Sequence, residues 1–193
     1  MEVPMKILLI SGSLRKGSFN TMLAEEAARL LAPGASAEIL QYADLPLFNA
    51  DHIYPFGKTA ERIRTQIAQA DGLWIFCPEY NGSYTGVLKN LLDYASMTFI
   101  KDDFASGTPL RNKPVTISAT AGKMAAAGAV SQLTVLLKTV QCQVMEEPEV
   151  RIALPGSAFT TGEWEPDQEQ IEKLAGQAEA FEAFIRRKFC EKS

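Results

Sequence analysis

Two short stretches of the chain hold the residue types that could do chemistry. The first, Ser11-Gly12-Ser13-Leu14-Arg15-Lys16-Gly17-Ser18-Phe19-Asn20, packs three hydroxyls, two glycines and two cations between an apolar run and an amphipathic segment. Such a loop can hold a phosphate. The N–H groups of a helix's first turn point outward unpaired, Ser13 and Ser18 can donate hydroxyl hydrogen bonds, and Arg15 can make a charge-assisted fork to a phosphate oxygen. The alternative is that Ser18 caps the helix, Arg15 is a solvated cation, and Gly12 and Gly17 serve the turn. The spacing is neither Gly-x-x-x-x-Gly-Lys-Ser/Thr nor Gly-x-Gly-x-x-Gly, so a mononucleotide monophosphate fits better than a triphosphate or a dinucleotide.

The second stretch is Cys77-Pro78-Glu79-Tyr80-Asn81-Gly82-Ser83-Tyr84-Thr85-Gly86. Two tyrosines and main-chain amides there offer a flat surface with hydrogen bonds at its edge, which suits a heteroaromatic ring. Read structurally, Pro78 and Gly82 shape a turn and the tyrosines are half-buried packing.

Other chemistries are excluded by what is missing. A single histidine, His52, rules out sites built from several imidazoles, and no Gly-x-Ser-x-Gly elbow accompanies it. His52 reads as a surface residue. The three cysteines, Cys77, Cys142 and Cys190, are too scattered for a disulfide framework or a metal cluster and read as small buried hydrophobes. A net charge of −4 offers no surplus to neutralise a nucleic-acid backbone. No apolar run is long enough to span a membrane, and no signal peptide is recognisable. With 193 residues and 47% hydrophobic composition, the expectation is one cytoplasmic domain, 1–193, that meets neither nucleic acid nor membrane.

The elements that must position the two loops follow from periodicity. Ile7 to Ile10 is a strand buried on both faces, and Phe19 opens a helix that Pro33-Gly34 stops. Ala37 to Leu40 is a second strand, Thr59 to Ala70 a helix, and Leu73 to Phe76 a third strand. Gly86 to Ala95 is helical, Val115 to Ala119 a fourth strand, and Val130, Leu133, Leu137 and Val140 mark the next helix. A weak strand at Gln143 to Met145 precedes an irregular stretch, 146–165. A last helix from about Pro166 to Phe189 buries Ile171, Leu174, Ala178, Phe181 and Ile185. Strands alternating with helices predict an α/β, flavodoxin-like three-layer sandwich whose five parallel strands run in the order 2-1-3-4-5. In that order, ligand binds beyond strands one and three, where both loops lie.

The residues Gly12 to Asn20, with Pro78-Glu79-Tyr80-Asn81 and Gly86-x-Leu88-Lys89-Asn90-x-x-Asp93, closely resemble the NADPH-dependent FMN reductase family. Within it, the bacterial quinone and chromate reductases look most similar. Asp44-Leu45-Pro46-Leu47 and Ala70-Asp71-Gly72 extend the likeness over nearly the whole chain. The resemblance implies an FMN whose phosphate sits on the first loop, contacted by Ser13, Arg15, Ser18 and Asn20, with Leu14 and Phe19 beside them. It implies a flavin ring held by Pro78, Glu79, Tyr80 and Asn81, largely through main-chain groups, and a further contact at Thr120. Two departures stand out: Ala121 to Gly128 is less glycine-rich than the family pattern, and Thr85 stands where a proline is common.

The activity so implied is ping-pong hydride transfer from NADPH or NADH, through flavin N5, to a small-molecule acceptor: a quinone, nitro or azo compound, chromate or free flavin. Two rival readings are a flavodoxin-like electron carrier and a non-enzymatic flavin-binding regulator. The segment Met97 to Lys113 carries Met97, Phe99, Ile100 and Phe104 outside any predicted element. It is expected to cover part of a partner's flavin site in a homodimer or homotetramer.

Overall fold

Three of the five strands are buried along nearly their whole length, so they are covered on both faces. These are β1 (Met5–Ser11), β3 (Gly72–Phe76) and β4 (Pro114–Ala121), and they form the interior of a parallel sheet in the order β2-β1-β3-β4-β5. β2 (Ala35–Ile39) and β5 (Gln143–Ala153) are the edges. The expected order is the observed one. The computed structural model describes residues 4–31 and 35–190, without the side chains of Phe189 and Cys190. The helix stop expected at Pro33-Gly34 and the burial expected for Cys190 lie outside that description.

The pleat sorts alternate side chains into two layers. Leu8, Ile10, Leu73, Ile75, Val115 and Ile117 pack under α2 (Lys58–Gln69), α3 (Gly86–Ala95) and α4 (Ala127–Thr139). Ile7, Leu9, Trp74 and Phe76 pack under α1 (Phe19–Leu30) and α6 (Gln168–Cys190). Among the described residues, no helix is long and apolar enough to cross a membrane.

The stretch 143–165 differs from its sequence reading. β5 continues to Ala153, and a short helix, α5 (Gly156–Thr161), follows it. Pro148 and four charged residues at 146, 147, 149 and 151 hide this strand, but an edge strand tolerates both, because one side of it needs no partner. Thr116 pairs with Met145 while Ser118 pairs with Val150, so 146–149 bulge out of the ladder.

The bulge leaves polar groups of β4 to be satisfied from elsewhere. Gln177 of α6, fully buried, donates to the Ile117 carbonyl at 2.9 Å and to Thr116 Oγ1 at 3.0 Å. Its Oε1 accepts from Ser118 Oγ at 2.6 Å, and that hydroxyl accepts from Trp74 Nε1 at 2.9 Å. One glutamine thus bonds helix to sheet at the place where the ladder is irregular. Gln177→Leu keeps the side chain's bulk but strands three buried partners. It should lower unfolding free energy by about 2–4 kcal/mol in urea titrations.

Candidate functional site

Strand order reverses between β1 and β3, and the helices that follow them leave toward opposite faces of the sheet. A crevice must open between the two exits. It holds a cavity of about 420 Å³. Gly12 joins the two exits: its N–H donates to the Phe76 carbonyl at 2.8 Å, and a Cβ on Gly12 would stand 2.8 Å from Pro78 Cδ. No larger residue lets the two loop exits approach so closely.

On the β1 side, α1 begins with an open N-terminus. Ser18 stands at its N-cap in extended geometry and makes no side-chain cap hydrogen bond, and the first turn contains no acid. The capping alternative for Ser18 is therefore not realised. The loop is held by its own atoms: Arg15 N donates to Ser13 Oγ at 3.3 Å, Ser18 N to the Arg15 carbonyl at 3.2 Å, and Ser11 Oγ pairs with Thr21 Oγ1 at 2.8 Å. The Arg15 guanidinium lies over the Phe19 ring, 5.3 Å from its centroid, on the exposed rim. Free N–H groups, two serines and a cation converge there on a patch suited to a compact anion.

On the β3 side, Pro78 is buried while Tyr80 is 54% exposed, with Tyr80 and Ser83 pairing through their main chains at 2.9 and 3.1 Å. Glu79 turns its carboxylate away to α4, where Oε2 accepts from Ala129 N at 3.0 Å. Between the two loops lies Thr120, at the exit of β4. Asn20 clamps its main chain from both sides: Nδ2 donates to the Thr120 carbonyl at 2.8 Å, and Oδ1 accepts from Thr120 N at 3.0 Å. The Thr120 hydroxyl, 1% exposed, has no partner. A buried hydroxyl left open beside a cavity points to a ligand atom.

Of the residues singled out in the sequence, Ser13, Arg15, Ser18, Phe19, Asn20, Pro78, Glu79, Tyr80 and Thr120 line this cavity. Leu14 and Asn81 are exposed and do not. Asn20 is there, but both ends of its amide are engaged by Thr120. Sequence reasoning missed the third wall: Leu154, Ala158, Phe159 and Gly162, brought in by the end of β5 and by α5. Phe159 meets Phe19 edge to face at 6.3 Å, an aromatic pairing no local pattern announces.

Below the site, Cys77 is wholly buried, and burial, helped by the nearby Glu79 carboxylate, pushes its thiol up to about 12. Burial pushes Cys142 up to about 12 as well. Burial also holds Tyr42 far above the usual phenol range, its hydroxyl donating to the Ser11 carbonyl at 2.5 Å. None of these groups is poised to act as a nucleophile or base. Among the described residues, no cluster of His, Cys, Asp or Glu could hold a metal ion.

A doubly wound sheet of this order, with an open helix N-terminus and a ring-sized crevice at its switch point, defines a flavodoxin-like mononucleotide-binding protein. The chain belongs to the NADPH-dependent FMN reductase family, whose model matches residues 5–156. An NAD(P)H-dependent FMN reductase from Pseudomonas aeruginosa is 36% identical over 190 residues, covering 97% of this chain and 98% of that protein. A quinone reductase from Escherichia coli is 35% identical over 193 residues, with the same coverage of the two chains. Among solved structures, a flavoenzyme NAD(P)H:(acceptor) oxidoreductase from Paracoccus denitrificans superposes with a TM-score of 0.82 at 27% identity, covering 95% of this chain and 98% of that one. The chain is an oxidoreductase that works with FMN and NAD(P)H. Its residues fit that cofactor, since the uncapped α1 terminus and the orphaned Thr120 hydroxyl are what a flavin mononucleotide would satisfy.

Thr120→Val removes a buried hydroxyl that has no partner. The FMN-free protein should lose no stability and gain up to about 1 kcal/mol, read from its urea midpoint. The thiols give a pH dependence. Because Cys77 and Cys142 are raised from 9.0 to about 12 in the fold, the unfolded chain ionises first. Their contribution is complete below pH 9.0 and is lost as pH climbs through the window to about 12. The urea midpoint at pH 10.5 should lie below that at pH 8, and Cys77→Ala in combination with Cys142→Ala should flatten the difference.

Proposed function

We propose that the protein binds FMN in this crevice and uses NAD(P)H to reduce quinones. The observation that carries the proposal is the juxtaposition of an uncapped helix N-terminus and an unpartnered Thr120 hydroxyl at the switch point, and the two curated relatives named above support it. The phosphate would rest on the α1 terminus with Ser13, Ser18 and Arg15. The ring would lie along Pro78 to Tyr80, with Thr120 donating to it or to its ribityl chain. Asn20 would act indirectly, by fixing the main chain of Thr120. The whole chain, 1–193, would serve as one FMN-binding domain.

When bound, FMN supplies a redox centre that takes a hydride equivalent from reduced nicotinamide and passes electrons to an acceptor. The protein's part is to bind, orient and shield. Main-chain groups of 79–82 present fixed dipoles without rearranging, and Phe19, Leu154 and Ala158 exclude water from one side. Tyr80 and Phe159 stand exposed at the mouth, a flat apolar entrance that suits nicotinamide and quinone in turn. One mouth used alternately gives ping-pong kinetics.

A second copy of the chain is proposed to cover the segment 97–113. This loop is built rigidly: Arg64, buried, donates to the carbonyls of Tyr94, Met97 and Thr98 at 2.5, 2.9 and 3.0 Å, and Asp103 accepts from Ala105 N and Ser106 N. Yet it leaves Phe104 81% exposed beside a cavity of about 350 Å³ lined by Met97, Phe104 and Arg111. A knob next to a hole is the arrangement a two-fold axis makes self-complementary. A cytoplasmic location accords with the free, buried thiols.

Purified protein should form a yellow one-to-one complex with FMN that bleaches rapidly on anaerobic addition of NADPH or NADH and recolours with benzoquinone. A flavin that stays oxidised refutes the reductase. Arg15→Ala should weaken FMN binding by about tenfold, and Thr120→Val by about fivefold, in fluorescence titrations. Light scattering should report a dimer or larger assembly that Phe104→Glu breaks down.

A further inference from the structure

We propose that the side chain of Glu79 is a positioning residue: its carboxylate caps the N-terminus of α4 and so bolts the loop beneath the flavin ring to the loop after β4. This deepens the FMN reading and rests on it.

Helix α4 cannot cap itself. Its N-cap is Ala126, which has no side-chain acceptor, and Ala125 and Ala126 both sit in the left-handed region, at φ 46° and 59°. That conformation is disfavoured for alanine and persists only where the surroundings hold it. The turn is closed locally, Ala125 N donating to the Gly122 carbonyl at 2.8 Å and Ala127 N to the Met124 carbonyl at 3.0 Å, and the helix start behind it is held from the loop after β3. Glu79 Oε2 accepts from Ala129 N at 3.0 Å, a negative group on the positive end of a helix of thirteen residues whose first turn holds no acid.

Two further bonds reinforce the bolt. Gln132 Nε2 donates to the Gly82 carbonyl at 2.8 Å, and its Oε1 accepts from Ser83 Oγ at 2.9 Å. The helix also approaches closely enough to require a glycine: a Cβ on Gly128 would stand 2.8 Å from the Gly82 oxygen and 3.1 Å from Glu79 Oε2. Residues 79, 82 and 83 thus meet 128, 129 and 132, joining the loop after β3 to the start of α4. The consequence concerns chemistry as well as shape. Glu79 Oε2 is engaged by a main-chain amide, and through that bond the residue acts on the flavin by fixing the position of its loop.

The test uses the full chain with and without FMN, comparing wild type, Glu79→Ala, Glu79→Gln and Gln132→Ala. The glutamine retains an oxygen that can accept from Ala129. In FMN-free protein, Glu79→Ala should speed amide hydrogen exchange in the first turn of α4 about tenfold, and Glu79→Gln should leave it within about twofold of wild type. Glu79→Ala should bind FMN about five- to tenfold more weakly and, at saturating FMN, shift the visible absorption band of the bound flavin; Glu79→Gln should restore both. A loss of thermal stability with affinity and band unchanged overturns the proposal, as does a glutamine variant as impaired as the alanine one. If Glu79→Ala does not fold, the exposed Gln132→Ala decides: FMN affinity about two- to threefold lower supports the bolt, and wild-type affinity overturns it. Wild-type protein that takes up no FMN would overturn the functional reading instead, while the exchange of Ala129 still tests the cap.

Discussion

The structure turns on the contact at Gly12, where two loops from neighbouring strands meet main chain to main chain. β1 and β3 are bonded along their length, so their exits lie side by side, but useful proximity requires that nothing project between them. Gly12 provides that and receives a second tie: Thr85 Oγ1 donates to its carbonyl at 2.6 Å while accepting from Leu88 N at the start of α3. The resemblance to the reductase family suggested a proline at this position. A proline fixes φ but has no hydroxyl to donate, so in this chain a side-chain bond joins the loop after β3 to the loop after β1. Neither loop can shift without the other, which keeps the distance between an anion site and a ring site fixed before any ligand arrives.

The same logic runs along β4. Thr116, Ser118 and Thr120 alternate with Val115, Ile117 and Ala119, so the strand presents a column of hydroxyls to the α1 and α6 face. The lower two are satisfied by Gln177 and Trp74 and knit the sheet to α6. The last reaches the cavity, where the buried protein partners end. A hydroxyl that would cost stability in the middle of the strand is left free to donate at its end. Asn20 makes that exchange reliable, since its amide holds the Thr120 main chain on both sides and fixes where the hydroxyl stands.

The strands β1 to β4, five of the helices and the strand order were legible in the sequence because each depends on a local pattern: Ile7 to Ile10, Leu73 to Phe76, and helical stripes such as Leu88, Leu91 and Leu92. β5 was legible only at its first residues, because its bulge carries Pro148 and charges that a one-sided edge permits. The site divided along the same line. That Ser13, Arg15 and Ser18 stand together at the crevice was readable from composition, since a loop rich in hydroxyls and cations is a local object. The actual partners of Asn20 and Glu79 lie 100 and 50 residues away, and no spacing within either loop announces them. Gln177 was hidden by the apolar residues beside it on α6, where a polar residue next to Ala178 looks like the edge of a stripe rather than its centre.

A protein that transfers electrons through a bound cofactor needs few reactive side chains, and this one keeps its reactive groups out of reach. Cys77 lies directly under the ring loop, yet burial keeps it a thiol, and Tyr42 is held as a neutral phenol bonded to the end of β1. A thiolate there would be a competing nucleophile toward quinones, which are good electrophiles. Polar side chains that would otherwise face the crevice are turned onto backbone: Asn20 onto β4, Glu79 onto α4, Thr85 onto Gly12. What remains open to a ligand is main-chain N–H, two serines, one threonine, a rim arginine and the exposed Tyr80. Those groups can bind and orient a flavin, but they cannot react with the substrates it serves.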